Sequence, residues 1–383
     1  MPAVNVSFFL ESKCIAGISL GASGNLLSFC YFSVIRGSLM RRIVLVNQKG
    51  GCGKTTTAIN VACCLALKGK KVLLVDLDPQ GHSGQGLGVQ PDLIEKSIYE
   101  VLSGKIAIED AIMPVRENLD AVFSNVVLSA FEQLMAGQPG REYTLTGSLA
   151  DIEEKYDYLI MDSPPGVGLL SFNGLMAADE AIIPVEPSSF SLDGLEKLLE
   201  TICLVKEKAG HDLAFSILAT NVDQRTNFSK KVVAILKKKF PDNFFSTIIN
   251  SCTRVKEATY YGKPACEYDK KCAAFFDYSQ LTEEIQEKEI ETRKKQKGKT
   301  KVVFHYLAPE DSQVQIAGDF NGWTPENLQF AQRENGAVWQ KSIALSAGDY
   351  QYKFLVDGNW TQDPESMGIV DDPFGSKNSV ISV

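Results

Sequence analysis

Lys49-Gly50-Gly51-Cys52-Gly53-Lys54-Thr55-Thr56 decides the fold of the larger part of this chain. The stretch follows an apolar run, Ile43 to Val46, and leads into good helix formers from Ala58 onward, so it reads as a loop between a buried strand and a helix. Its three glycines let successive backbone N–H groups turn inward as an anion nest, and the helix N-terminus adds the positive end of its dipole. Gly50, Gly51, Cys52, Gly53, Lys54, Thr55 and Thr56 are therefore expected to cradle a nucleotide's phosphates. Lys54 would reach the β- and γ-phosphates, and the Thr55 hydroxyl would bind Mg2+.

Working outward, short β-branched runs alternate with helical patterns from Met40 to about Gln286. Candidate strands are Ile43 to Val46, Val72 to Val75, Tyr158 to Met161, Ala181 to Val185, Phe215 to Thr220 and Phe244 to Ile249. Most are nearly continuous apolar runs, as strands buried on both faces must be. The fold class is α/β: a P-loop nucleoside triphosphatase domain over 40–286, with a mostly parallel sheet covered by helices.

The loop departs from the common G-x-x-x-x-G-K-[ST] pattern, because Gln48 stands at the first glycine position and Lys49 follows it. In this it resembles the deviant Walker A family that includes the ParA and MinD partition ATPases. That resemblance implies ATP and Mg2+ as cofactors, ATP hydrolysis in a nucleotide-sandwiched homodimer, and a Lys49 that reaches across to the partner's phosphates. Asp76-Leu77-Asp78-Pro79-Gln80-Gly81 resembles the family's first switch, in which Asp78 would help orient the attacking water. Tyr158 to Asp162, followed by Ser163-Pro164-Pro165-Gly166, resembles its second switch, with Asp162 holding Mg2+ through water. Asn221, just past a strand, either reads the adenine as in some relatives or is a plain turn residue. No cysteine pair lies between Asp162 and Gly168, where a nitrogenase-type reductase would hold its iron–sulfur cluster.

The same resemblance brings DNA binding without sequence preference, with Arg225 and Arg254 at matching positions among Lys230, Lys231, Lys237, Lys238, Lys239, Lys256 and Lys263. The plain alternative is that these lysines form the solvated face of a helix running from about Ser229 to Lys239. Asn250-Ser251 replaces the Pro-Arg of many relatives, which removes one phosphate contact. A partner protein that stimulates hydrolysis is also implied, though the sequence does not name it. Membrane attachment of the MinD kind would need an amphipathic C-terminal tail, whereas this chain ends in strand-like sequence.

Between Leu281 and Lys301 the composition turns to Glu, Lys, Arg and Gln, which marks 287–300 as a charged linker at a solvated helix end. Beyond it come alternating strands separated by Gly, Asn, Asp and Pro: Val302 to Leu307, Gln313 to Ala317, Trp339 to Leu345, Tyr350 to Val356 and Ser379 to Val383. They predict a small all-β, immunoglobulin-like sandwich over 301–383, with a tight turn at Asp357-Gly358. From Lys301 onward there are five Lys/Arg against eleven Asp/Glu, which disfavours anionic ligands.

Ala317-Gly318-Asp319-Phe320-Asn321-Gly322-Trp323, Gly348 to Phe354, Val356 to Trp360 and Asp363-Pro364 resemble the glycogen-binding module of the AMP-activated protein kinase β subunit. That resemblance implies an α-glucan ligand such as glycogen. Trp323 and Trp360 would stack on sugar rings, Lys353 and Asn378 would meet hydroxyls, and Phe374 would press into the glucan curve. Trp339 is assigned to the core.

The whole chain has 383 residues, a net charge of −8 and a pI near 5.2, which excludes a surface built throughout to coat nucleic acid. Nine cysteines show no C-x-x-C spacing and read as reduced thiols of a cytoplasmic protein. Residues 1–39 include 22 without charge, Cys14 to Ile35, but no basic region precedes a secretory-type core. They are expected to be a disordered leader or the product of a misassigned start, with a membrane anchor as the alternative. Together these features point to an ATP-driven protein that positions an α-glucan cargo. The alternatives are a glucan-responsive adaptor without transport, and a DNA-partitioning ATPase with a vestigial sugar module.

Overall fold

A computed structural model describes residues 40–188, 191–209, 211, 213–296, 299–309, 311–333, 336–364, 366, 368–372 and 375–383. The expectations for residues 1–39 and for Phe374 lie outside the described residues. Two compact units result, one of residues 40–296 with 330–333, the other of 299–329 with 336–383.

The larger unit runs β1 (Arg41–Leu45), α1 (Lys54–Leu67), β2 (Val72–Asp76), α2 (His82–Gly86), α3 (Ile98–Leu102), β3 (Met113–Arg116) and β4 (Leu119–Val122). It continues through α4 (Phe131–Leu134), α5 (Thr144–Ser148), β5 (Tyr158–Asp162), α6 (Leu169–Ala177), β6 (Glu180–Val185), α7 (Ser191–Ala209) and β7 (Ala214–Ala219). The closing helices are α8 (Asn227–Lys239), α9 (Thr253–Tyr260), α10 (Ala265–Tyr268) and α11 (Ala273–Gln296). The sheet order is β3-β4-β2-β5-β1-β6-β7, parallel except for β3.

Successive strand residues feed two cores. Val44, Leu73, Val75, Leu159 and Met161 pack with Leu170, Leu175, Leu195 and Leu198 of α6 and α7 on one face. Ile43, Leu45, Val72, Leu74 and Ile160 pack with α1, Leu281 and Ile285 on the other. This two-sided burial explains the unbroken apolar strands, since each alternate side chain meets a helix layer. Chain order sends β1 to β2 on one side and β5 to β6 on the other, so the C-terminal ends of β1, β2 and β5 open onto a topological switch point.

Phe244 to Ile249 is not the strand expected from its composition. It makes only isolated bridges to β7 and beyond it, Ile217 with Phe244 and Val222 with Asn250. Carboxylates of α11 take N–H groups that would otherwise continue a ladder. Ser246 and Thr247 donate to the two oxygens of Glu284 at 2.7 and 2.9 Å, and Asn250 donates to Asp277 at 2.8 Å. The β3–β4 hairpin at the opposite edge was not expected, because its short strands carry Pro114, Arg116 and Asp120.

The strands from residue 299 onward are β8 (Lys299–Leu307), β9 (Val314–Gly318), β10 (Glu326–Asn327), β11 (Gln329–Arg333), β12 (Gly336–Ser346), β13 (Asp349–Val356), β14 (Asn359–Thr361), β15 (Gly368–Asp371) and β16 (Lys377–Ser382), and all but residues 330–333 of β11 belong to the smaller unit. One sheet runs β10-β9-β13-β16-β15 with β14 on β13, and the other runs β11-β12-β8. Val302 and Phe304 from β8 meet Val314, Ile316, Tyr352 and Phe354 from β9 and β13, so the two sheets enclose one core as a sandwich does. Trp339 is half-buried against this core. Asp357 and Gly358 have φ of 49° and 80° and join Val356 to its pair Asn359, the left-handed two-residue turn that matches strand twist.

Candidate nucleotide and carbohydrate sites

The loop after β1 is held at both ends by groups from distant segments. Asn47 accepts from Lys49 N at 3.0 Å and donates to Pro184 O at 2.6 Å, while Thr220 Oγ1 donates to Cys52 O at 2.7 Å. Gly51 and Gly53 have φ of 76° and 88°, a region that only glycine enters without strain. A Cβ on Gly50 or Gly51 would meet nothing within 4 Å, so the cradle faces open space. Lys54 starts α1, is buried, and folds its Nζ back to Lys49 O at 3.3 Å. Thr55 and Thr56 occupy the first turn, where backbone N–H groups and the helix dipole favour an anion.

Asp76 and Asp162 end β2 and β5 and are register partners in adjacent parallel strands. Asp76 accepts from Asp78 N at 2.9 Å and from Ser83 N at 3.2 Å, and the Ser83 hydroxyl also donates to it. Burial pushes its carboxyl up to about 7 against those hydrogen bonds. Asp78 is buried, accepts from Gln80 N at 3.0 Å, and has its carbonyl held by the Ser124 hydroxyl.

Both carboxylate oxygens of Asp162 are buried with no hydrogen-bond partner. Burial, and then the Asp76 charge, push its pKa well above the carboxylate range, while Thr55 and Lys54 oppose the rise. A buried orphan carboxylate beside a hydroxyl and an ammonium fits a cation such as Mg2+, with Thr55 as the second holder.

Lys49 and Asn221 meet at one residue that motif reading missed. Glu186, just past β6, lies 3.0 Å from Lys49 Nζ through Oε2 and accepts from Asn221 Nδ2 at 2.6 Å through Oε1. Asn221 follows β7 with φ of 51°, a turn geometry that asparagine tolerates. Glu186, Thr220 and Ser124 carry no local signature, since each acts on a motif far away in sequence, while Asn47 and Ser83 lie only two and seven residues from the motif groups they bond.

Arg225 and Arg254 are exposed and each is already paired. Arg225 binds Asp223 in two places at 2.9 and 2.8 Å, and Arg254 meets Glu257 at 2.7 Å. Arg225 precedes α8 and Arg254 lies in α9, so the structure places them on different elements.

In the smaller unit, strand register decides which side chains share a face. Tyr352 and Phe354 point into the core, so Gln351, Lys353 and Leu355 point outward. Trp360 is the cross-strand partner of Leu355 and is half exposed, and Asn378 lies two residues before Val380, the partner of Gln351. Trp360, Lys353 and Asn378 therefore share the outer face of one sheet. Asn378 donates to Gln351 Oε1 at 2.9 Å and leaves its own buried Oδ1 without a partner. Lys353 Nζ is buried against Asp372 at 2.6 Å and the Ser376 hydroxyl. Trp323, 36% exposed, sits at φ of 60° after Gly322 and donates from Nε1 to Asp319 at 3.0 Å; Asp319 in turn accepts from Gln351 N at 2.8 Å.

Strand, glycine loop, helix and two strand-end carboxylates define a P-loop nucleotide-binding domain joined to a β-sandwich module. Residues 40–217 match the family model described as an AAA domain, and residues 300–383 match that of the glycogen recognition site of AMP-activated protein kinase. The chain is 39% identical over 245 residues to the sporulation initiation inhibitor protein Soj of Bacillus subtilis, covering 63% of this chain and 97% of Soj. It is 39% identical over 251 residues to the chromosome partitioning protein ParA of Myxococcus xanthus, covering 65% and 89%.

Among solved structures, cobyrinic acid a,c-diamide synthase from Mycobacterium smegmatis with bound ADP and magnesium has 33% identity and a TM-score of 0.54, covering 58% of this chain and 91% of that one. A Cyanothece McdA complex with ATP has 24% identity and a TM-score of 0.59, covering 65% and 98%, a likeness of fold alone. The chain belongs to the ParA/Soj family of partitioning ATPases and carries a C-terminal glycogen-recognition module.

Proposed function

We propose that this chain binds ATP with Mg2+, hydrolyses it as a nucleotide-sandwiched homodimer, and uses that cycle to position an α-glucan such as glycogen in the cytoplasm. Lys54 and the backbone of Gly50 to Thr56 bind the phosphates. Thr55 and Asp162 would hold Mg2+, which would supply positive charge to offset that of the phosphate oxygens. Asp78 orients the attacking water, and Lys49 supplies positive charge to the partner's phosphates where negative charge grows. Asn221 either meets the base or keeps its turn. Trp323 and Trp360 stack on sugar rings while Asn378 Oδ1 and the remaining Lys353 N–H meet hydroxyls.

The observation that carries this proposal is the outward grouping of Trp360, Lys353 and Asn378 on one sheet face, in a chain that also holds an orphan carboxylate beside a phosphate cradle. Among the described residues no helix is long and apolar enough to cross a membrane. A fluorescent fusion imaged in cells that do and do not store glycogen tests the proposal. Foci that follow the granules and spread in a Lys54→Ala variant are expected; nucleoid staining regardless of glycogen would overturn the cargo. The adaptor alternative, in which glucan occupancy sets the ATPase state, draws support from the acids already paired with Arg225 and Arg254.

A further inference from the structure

A small cavity of about 150 Å3 opens beside α1 and is lined by Cys63, Leu67, Arg116, Leu119, Cys266 and Glu267 among others. Its two thiols come from different helices. Cys63 lies in the buried stretch of α1, the helix that begins at Lys54, and Cys266 lies in the short α10. The helices are tied together one turn earlier, where Ala265 N donates to the buried Asn60 Oδ1 at 2.8 Å. That bond sets residue 266 beside the next turn of α1, which holds residue 63.

We propose that Cys63 and Cys266 form a peroxide-responsive dithiol whose oxidation to a disulfide clamps α10 to the nucleotide-bearing helix α1. The two thiols are unlike, as a reactive and a resolving cysteine must be. Its neighbour Cys63 holds the Cys266 thiol below its ordinary range despite burial, and the same proximity, with burial, pushes Cys63 well above it. The Arg116 guanidinium lines the cavity, fixed by Glu267 at 2.7 and 3.0 Å and by Leu87 O at 2.9 Å; its charge favours a thiolate there, while the Glu267 carboxylate opposes one at Cys266 more strongly. Cys64 is the control supplied by the chain. It does not line the cavity, it contacts Thr282 of α11, and burial pushes its thiol up to about 12.

The chemistry balances with hydrogen peroxide as the oxidant, which is small enough for the cavity. The Cys266 thiolate takes one peroxide oxygen, so an S–O bond forms as the O–O bond breaks and hydroxide leaves. The Cys63 sulfur then attacks the sulfenic sulfur, its proton joins the departing oxygen, and S–S forms as S–O breaks. In sum, two thiols and one peroxide give one disulfide and two waters.

Brief exposure of the folded full-length protein to hydrogen peroxide, followed by tryptic mapping without reductant, tests this. A link between peptides 55–68 and 257–270 is expected in the wild type and in Cys64→Ser, reversed by dithiothreitol and absent from Cys63→Ser and Cys266→Ser. Free Cys63 and Cys266 at a dose that fully oxidises the exposed Cys203 would overturn the proposal. A link that persists in Cys63→Ser would overturn it as well, since Cys64 would then be the partner.

Discussion

Lys49 Nζ lies 3.0 Å from Glu186 Oε2 within one chain, and the other oxygen of Glu186 accepts from Asn221 at 2.6 Å. The lysine assigned to the partner's phosphates is thus held in cis when the protein is alone. Hydrogen bonds from Asn221 and Lys49 outweigh burial and keep the Glu186 carboxyl below its ordinary range, so it is charged at neutral pH. A sandwiched dimer has to break this pair.

Because the pair is solvent-accessible, its release costs only about 0.2–1 kcal/mol. With one such pair in each protomer, Glu186→Gln is therefore expected to tighten ATP-dependent dimerisation by up to about thirtyfold while leaving monomer affinity for ATP unchanged. Sedimentation velocity with MgATP measures the dimer constant. A weaker dimer would show instead that Glu186 aims Lys49 toward its target.

Lys54 and Asp78 should separate binding from chemistry. Lys54 folds over the loop where phosphates would lie, so Lys54→Ala is expected to abolish nucleotide binding. Asp78 has its carbonyl fixed by Ser124 and its carboxylate near the same strand ends, so Asp78→Ala should keep ATP and accumulate dimer by slowing the chemical step. Size-exclusion chromatography with ATP and Mg2+ reads both variants. An Asp78→Ala protein that stays monomeric at saturating ATP contradicts the sandwich.

What could be foreseen from sequence follows the range of each interaction. The strand, loop and helix around Lys54 lie within one short segment, so composition and glycine spacing revealed them. The Asp357-Gly358 turn is equally local. Phe244 to Ile249 misled because its β-branched content is real, while the distant Glu284 takes the Ser246 and Thr247 N–H groups in the middle of the segment and leaves only single bonds to β7 on either side. Glu186 was invisible for the same reason, since nothing near it in sequence says that Lys49 and Asn221 converge on it. Likewise the contacts of Lys353 with Asp372 and Ser376 could not be foreseen, since those residues lie in a loop downstream.

DNA binding is a sharper question once Arg225 and Arg254 are seen to be paired. Each must leave a carboxylate, Asp223 or Glu257, to reach a phosphate. Any binding should need the ATP dimer, which doubles a modest basic face, and should fall at least about tenfold between about 50 and 200 mM salt. Arg254→Glu should remove it. Gel retardation of unrelated duplexes at low salt decides, and no retardation by the wild type with ATP would exclude a nucleoid track.

Trp323 and Trp360 should carry the affinity for an α-glucan. Trp323 holds a left-handed backbone that a bulky residue rarely adopts, kept there by its N–H to Gly318 O at 2.9 Å and by Nε1 on Asp319. Such strain persists at sites where the side chain's placement matters more than its backbone comfort. Losing either ring removes a stacking plane that one hydrogen bond cannot replace, so Trp323→Ala or Trp360→Ala is expected to cost on the order of 2 kcal/mol, roughly thirtyfold in Kd. Lys353→Ala should act differently, because it takes the cation away from the Asp372 carboxylate, which Ser376 also contacts, and so lowers the module's stability by about 3 kcal/mol. Calorimetric titration of the full chain with β-cyclodextrin, alongside thermal unfolding, separates the two effects. Cellulose should not bind, since a flat β-1,4 chain needs a planar aromatic row. If the double tryptophan variant folds and binds β-cyclodextrin as tightly as the wild type, the carbohydrate site lies elsewhere.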